Sequence, residues 1–256
     1  MGRGVLYPRL NASVADLDRR APGPALARFI ELHWHVRWHT DEPYETKVLS
    51  HPNVHLVFEE PRALVYGVDR GLFVRRLEGR GQVLGVKFRP GGFRPLLRGP
   101  VIALADRRIP AAELLGPAVD EVNRAVLGAA GTGEMVRLAE AFLEPLLPEP
   151  DPAAEHAAAM VGHITADPGL LRVDQAAEKL HVSVRTMQRL FAEYVGASPK
   201  WVLRRARLHE AAARADQGTR IDWSALADDL GYYDQAHLTR DFTAVVGVSP
   251  ARYARS

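Results

Sequence analysis

Residues 226–253 read LADDLGYYDQAHLTRDFTAVVGVSPARY, and this stretch decides the fold of the C-terminal half. Leu226, Ala227 and Leu230 form a short apolar face at helical spacing. Gly231 ends that helix, because it takes a positive φ without a Cβ penalty. Asp234 then caps a second helix through the unpaired N–H groups of its first turn. Within it Leu238, Phe242 and Val245 make an inward stripe, while Ala236, Thr239 and Arg240 put small and polar groups on another face. A short helix with one packed face and one hydrogen-bonding face has the form of a helix that enters the major groove.

A second copy lies upstream in residues 176–202, AAEKLHVSVRTMQRLFAEYVGASPKWV. Ala177 and Leu180 stand 50 positions before Ala227 and Leu230. Arg189, Phe191, Gly196, Ser198 and Pro199 stand 51 before Arg240, Phe242, Gly247, Ser249 and Pro250. The extra residue falls in the turn, where an insertion costs little, and Ser183 takes the capping place of Asp234. Arg185, Gln188 and Arg189 share one polar face. A duplication with its insertion confined to a turn indicates two structurally equivalent units.

The segments GYYDQAHLTRDF with GVSPARY, and SVRTMQRLF with GASPKWVLRRARLHEA, resemble the AraC/XylS family of bacterial transcription regulators. The resemblance covers residues 153–256. It implies a seven-helix module with two helix-turn-helix motifs joined by a long helix, here 200–215. Asp241 stands where the first copy has Leu190, and Thr243 replaces a basic residue frequent in the family. Both departures imply a weaker phosphate grip by the second reading helix. The resemblance also implies that one arginine per helix, Arg189 and Arg240, holds phosphate.

The chain has 256 residues, 47% apolar and 25% charged, as is ordinary for a globular protein of one large or two modest domains. Cysteine is absent, which excludes disulfide and thiolate chemistry. No apolar run is long enough to span a bilayer, and charges interrupt the N-terminal apolar residues, unlike a signal peptide. A cytoplasmic protein is expected. Residues 170–256 carry 13 Lys and Arg against 10 Asp and Glu, so the positions of the arginines matter more than their sum.

The first half reads differently. Residues 1–24, with Pro8, Pro22, Gly23 and Pro24, are expected to be irregular. From Ile30, apolar Ile30, Leu32, Trp34, Val36 and Trp38 alternate with Glu31, His33, His35, Arg37 and His39, which predicts a half-buried strand. Apolar runs at 47–49, 54–58, 63–68, 72–77 and 82–89 extend the pattern to an antiparallel barrel or sandwich of about seven strands. Segments 93–97, 111–115, 119–127 and 134–147 read as helices. The last has Met135, Leu138, Phe142 and Leu146 as its stripe, and Pro145 stops it. It is a candidate dimer contact as well as a candidate for packing within its own domain. The proline-rich run 148–152 is a linker. The fold class is therefore α+β, with residues 1–150 a β-rich sensor-like domain carrying C-terminal helices and residues 151–256 an all-α double helix-turn-helix domain. The segments HWHVR, HPNVHLVFE and GVKFRPGGF resemble the sensor-like domain attached to some family members.

His33, His35, His39, His51 and His55 offer either a metal set, completed by Glu59 or Glu60, or a polar strand face with surface histidines. Arg37, Arg75 and Arg89 are candidates to bind an anionic effector, against the alternative of solvated edge charges, as are Arg76 and Arg94. Gly91-Gly92 is a turn, since no GK[ST] follows. Ser183 and Ser198 have no histidine–carboxylate partners at a readable spacing and serve as cap and turn residues. Trp201 and Tyr253 are expected to be core anchors.

The combined reading is a sequence-specific DNA-binding regulator rather than an enzyme. Arg185, Gln188 and Arg189 enter one major groove and Gln235, Thr239 and Arg240 the next, with His237 at the rim. No cofactor is expected. Double-stranded DNA is the partner; a small-molecule effector, RNA polymerase and a second copy of the chain are further candidates, and a membrane is not. A cupin-like metal-dependent enzyme with a DNA-binding appendage, and a non-specific nucleoid-type binder, are the alternatives.

Overall fold

The computed structural model describes residues 4–149, 151–167, 169–217 and 221–255. The linker run expected at 148–152 includes Pro150, which lies outside them. An antiparallel β unit comes first and an all-helical unit second. The strands are β1 (Ala15–Arg20), β2 (Ile30–Leu49), β3 (His55–Phe58), β4 (Leu64–Tyr66), β5 (Leu72–Phe88) and β6 (Arg108–Pro110). They form one six-stranded sheet in the order β1-β2-β5-β3-β4-β6. Among the described residues there are six strands against about seven expected: residues 47–49 continue β2, and 72–77 and 82–89 belong to one strand, β5, while β1 and β6 lie outside the apolar runs that the sequence marks.

Residues 1–24 read as irregular from the sequence, but 8–20 form a helix and a strand, while 4–7 and 21–24 belong to neither. Pro8, whose missing N–H costs nothing at a helix start, opens α1 (Pro8–Val14), and the polar edge strand β1 follows. Three further helices, α2 (Ala111–Leu115), α3 (Ala118–Leu127) and α4 (Thr132–Leu143), cover one face of the sheet. Between them lie Leu56, Phe58, Leu84, Val86 and Phe88, all fully buried. Each such side chain contributes roughly 1.5–3 kcal/mol by leaving water. Pro145 does end α4, in a single 3-10 turn. The inward stripe of α4 is Met135, Val136, Ala139 and Leu143, while Leu138 and Phe142 are half-buried and Leu146 is exposed. That face is therefore spent within its own domain.

The alternation in β2 gives the opposite face from the one its apolar residues suggest. The register against β5 shifts between Ile30 and Leu32. Beyond that bulge His33 and His35 are buried, pairing with Val86 and Leu84 and lying under α4. Trp34 and Trp38 lie on the other side, over Gly85 and Gly81. A Cβ on Gly85 would sit 2.0 Å from the Trp34 ring, so only glycine allows the approach.

The helical unit comprises α5 (Pro152–Ala166), α6 (Val173–Lys179), α7 (Val184–Leu190), α8 (Pro199–Asp216), α9 (Trp223–Asp229), α10 (Gln235–Val246) and α11 (Pro250–Tyr253). Asp151 caps α5, accepting from the Ala153 N–H at 2.8 Å. Tyr194 donates its hydroxyl to the same carboxylate at 2.7 Å and thereby lowers the Asp151 pKa. At 18 residues, α8 spans about 27 Å.

The two units share cores. Leu6 and Leu49 pack with Leu208, Leu238 and Phe242, and Val68 packs with the first helix-turn-helix. Along α8, Trp201 Nε1 and Arg205 Nη2 both donate to the Arg70 carbonyl, at 3.2 and 2.7 Å. Arg205 also donates to the Gly71 carbonyl at 3.1 Å, with its guanidinium over the Trp201 ring. Trp201 is half-buried: it packs against the core of the first helix-turn-helix unit, as expected, and also contacts the β unit. His51 stacks on His209 at 4.0 Å, and Arg94 pairs with Glu193 at 2.7 Å.

Candidate nucleic-acid interface

The same local physics builds both helix-turn-helix units. In the first, α6 ends at Leu180, His181 takes φ +52°, and the Val182 N–H donates to the Ala177 carbonyl at 2.9 Å. Ser183 then caps α7, accepting from the Thr186 N–H at 3.0 Å. In the second, α9 is capped by Asp222 and ends at Leu230. Gly231 takes φ +66°, and the Tyr232 N–H donates to the Ala227 carbonyl at 2.9 Å. Asp234 caps α10, accepting from the His237 N–H at 2.6 Å. The turns match hydrogen bond for hydrogen bond up to Val182 and Tyr232.

Each reading helix buries one face. Met187, Leu190 and the adjoining Phe191 are buried in the first copy; Leu238, Phe242 and Val246 are buried in the second. Val246 replaces the expected Val245, which is only half-buried. On the outside, Arg185, Gln188, Arg189, Gln235 and Arg240 are exposed and Thr239 is half-buried. Among the described residues none of the six side chains has a hydrogen-bond or ion-pair partner within the chain, and none takes part in the contacts between the β unit and α8. Their donors and acceptors remain available to a ligand. His237 is exposed, its ring edge-on to Tyr232 at 5.1 Å.

Asp241 does not face this surface. It is largely buried and accepts from Arg204 Nε at 2.6 Å and from the Tyr232 hydroxyl at 2.8 Å. Arg207 lies over the Tyr232 ring at 4.7 Å. Burial and Asp241 push the Tyr232 hydroxyl pKa up, so it stays a donor. Tyr253 is a core anchor as expected: it packs on Phe242, and its hydroxyl donates to Asp216 at 2.8 Å.

The three candidate effector arginines are not brought together. Arg37 is exposed and lies 3.7 Å from Asp16; Arg89 is exposed and donates to the Ala27 carbonyl at 2.7 Å. Of the three, Arg75 is the one set over an aromatic ring: it is bound to Glu59 at 2.6 Å, with its guanidinium 5.5 Å from the Trp38 ring centroid. The five histidines disperse as well. His33 bonds Glu140 at 2.8 Å, and His35 bonds Thr132 and Gln82 at 2.9 and 3.0 Å. His55 accepts from Trp34 Nε1 at 3.1 Å, His39 is exposed, and His51 lies on His209. Among the described residues no three His, Asp or Glu side chains gather as a metal site would require, and no helix is long and apolar enough to cross a membrane.

Two helix-turn-helix units on one connecting helix, each with an outward polar face, have the form of a double helix-turn-helix DNA-binding module. Residues 176–256 match a family model described as a helix-turn-helix domain. Residues 18–110 match a model described as a domain of unknown function (DUF6597). No curated protein matches the chain. Among solved structures, the chain is similar to the C-terminal domain of AraT, a response regulator from Geobacillus stearothermophilus, at 24% identity. That match covers 41% of this chain and 88% of that C-terminal domain's chain, with a TM-score of 0.36. It is also similar to an apo variant of ToxT from Vibrio cholerae, at 10% identity over 92% of this chain and 99% of the other, with a TM-score of 0.43. For wild-type ToxT with a bound unsaturated fatty acid the identity is 10%, the coverages 99% and 95%, and the TM-score 0.37.

Sequence reasoning missed two features of the interface. The Arg204–Asp241–Tyr232 group was invisible because its members lie 37 and 9 positions apart on different elements. Tyr233, 91% exposed beside the second cap, was legible in principle as the residue that changes the repeat offset from 50 to 51.

Proposed function

We propose that the chain is a sequence-specific regulator in which two units, residues 1–150 and 151–256, divide sensing from DNA reading. Arg185, Gln188 and Arg189 read one major-groove segment, and Gln235, Thr239 and Arg240 read the next. Arginine can bond guanine O6 and N7 together, and glutamine adenine N6 and N7. Arg189 and Arg240 are the phosphate-holding members. What carries the reading is the pair of matched polar faces, which face solvent and whose side chains have no partner among the described residues. With α8 as a rigid spacer, the two segments fall about one helical turn, roughly 34 Å, apart on one side of the duplex.

The β unit modulates this binding through a small ligand or through dimerisation. What supports a mechanical link is the grip of the β unit on α8, because Arg205 and Trp201 sit on the same helix that spaces the two reading helices. A ligand that favours one packing of that contact would shift the population competent for DNA. Arg37, Arg75 and Arg89 remain the candidate effector contacts, with Arg75 the best placed because it faces Trp38. RNA polymerase is a further partner under this reading, and no chemistry is assigned to the chain.

The test is enrichment of duplexes from a random-sequence pool by the full-length protein. Two short conserved blocks about 10 base pairs apart are expected. Uniform retention of all sequences, lost steeply with salt, would replace this reading with a non-specific binder.

A further inference from the structure

Two features of Tyr233 coincide. It is the single residue by which the second helix-turn-helix turn exceeds the first. Hydrogen bonds fix Val182 and Tyr232 as equivalents, and Ser183 and Asp234 are the equivalent caps, so Tyr233 has no counterpart. It is also 91% exposed, far more than any other large apolar side chain among the described residues. Its neighbours leave its backbone little freedom. Tyr232 is 4% exposed and bound to Asp241, and Asp234 is committed to the His237 N–H. An aromatic ring is thus held in water at the N-terminal end of a reading helix, next to Gln235, on the part of such a helix that reaches base edges.

We infer that Tyr233 is a specificity-determining residue of the second half-site, whose ring packs on a thymine C5-methyl group in the major groove. The inference rests on the DNA-binding reading above. The chemistry of the groove selects the contact. In a stacked duplex the base faces are covered, and the one apolar group displayed in the major groove is the thymine methyl. Tyrosine makes large contacts at low entropic cost, since few torsions are frozen. The first copy, with no residue at this position, has no equivalent contact. The two half-sites therefore differ in kind, and the protein sits on its site in one orientation.

The experiment uses full-length protein and the duplex it enriches from a random pool. Thymines of the block read by α10 are replaced one at a time by uracil, which removes only the methyl. Wild type should lose affinity about tenfold at one of these positions. Tyr233→Ala should bind the thymine duplex about tenfold more weakly and show no further loss at that uracil. Tyr233→Phe should behave as wild type. An unchanged melting temperature is expected for both variants, given the exposure of the side chain. If Tyr233→Ala binds as tightly as wild type, or keeps the uracil penalty, the inference fails while the DNA reading stands. If it impairs transcription with DNA affinity intact, Tyr233 serves a protein partner and the inference fails likewise. If the wild-type chain enriches no sequence, both fall together.

Discussion

Arg204 Nε lies 2.6 Å from Asp241 Oδ1, which ties the middle of α8 to the second reading helix. The Tyr232 hydroxyl holds the other carboxylate oxygen at 2.8 Å. The first copy has buried Leu190 at the matching position, an apolar contact in place of this ion pair. Asp241→Ala leaves Arg204 and Tyr232 without their acceptor and should cost about 1–3 kcal/mol in urea unfolding. Tyr232→Phe removes one bond and should cost about 1 kcal/mol. The double variant should lose less than the sum of the two single losses, because the three groups form one network. Full additivity would mean that the contacts act separately.

Leu6 belongs to the N-terminal stretch yet is buried with Leu208, Leu238 and Phe242 of the helical unit. Leu6→Ala should therefore cost about 2–4 kcal/mol through the cavity it leaves. The loss should appear in hydrogen exchange of α9 and α10 before that of β3. Protection lost first in the sheet would contradict this packing.

Acid should weaken the fold through its buried histidines. Burial lowers the pKa of His209, reinforced by the charges of His51 and Arg205; burial also lowers those of His33 and His35, with the Glu140 hydrogen bond opposing it at His33. Their folded pKa values lie below the unfolded value of about 6.5, so the unfolded chain binds protons first as pH falls. The stability they contribute is complete above about pH 6.5 and is lost progressively below it, at up to about 1.4 kcal/mol per pH unit for each group. The urea midpoint should fall between pH 7.5 and 5.5, and less steeply in His209→Gln. A midpoint that does not change over that range would mean the imidazoles are accessible to protons.

Ser183 and Asp234 fix where each reading helix begins. Replacing either by alanine should cost about 1 kcal/mol of stability. Asp234→Ala should also weaken DNA binding, since it lets Gln235 and Tyr233 move. Stability and affinity measured on the same variant separate the two effects, and a stability loss with unchanged affinity would show that the start of α10 lies outside the interface.

The helical unit was readable because its signals are local. Caps at Ser183 and Asp234, serine-proline helix starts at Ser198 and Ser249, and apolar spacing each act within one turn, and the repeat states them twice. The β unit was less readable because its decisive feature is a register shift. One bulge near Glu31 places His33 and His35 under α4 and turns Trp34 to the opposite face. Alternation alone cannot place such a bulge. The same limit applies to Arg37, Arg75 and Arg89, whose grouping required strands to bring them together. The outward set Arg185, Gln188, Arg189, Gln235, Thr239 and Arg240 needed only helical periodicity, which the fold preserves.

The central claim is that the two copies read two separate segments of one duplex, and base-resolved binding of paired variants tests it most directly. On the enriched duplex, Arg185→Ala and Gln235→Ala should each cost about 1–3 kcal/mol and relax base preference in different blocks, about 10 base pairs apart. Loss of preference at the same block for both variants, or an equal loss on every sequence for each, would contradict it.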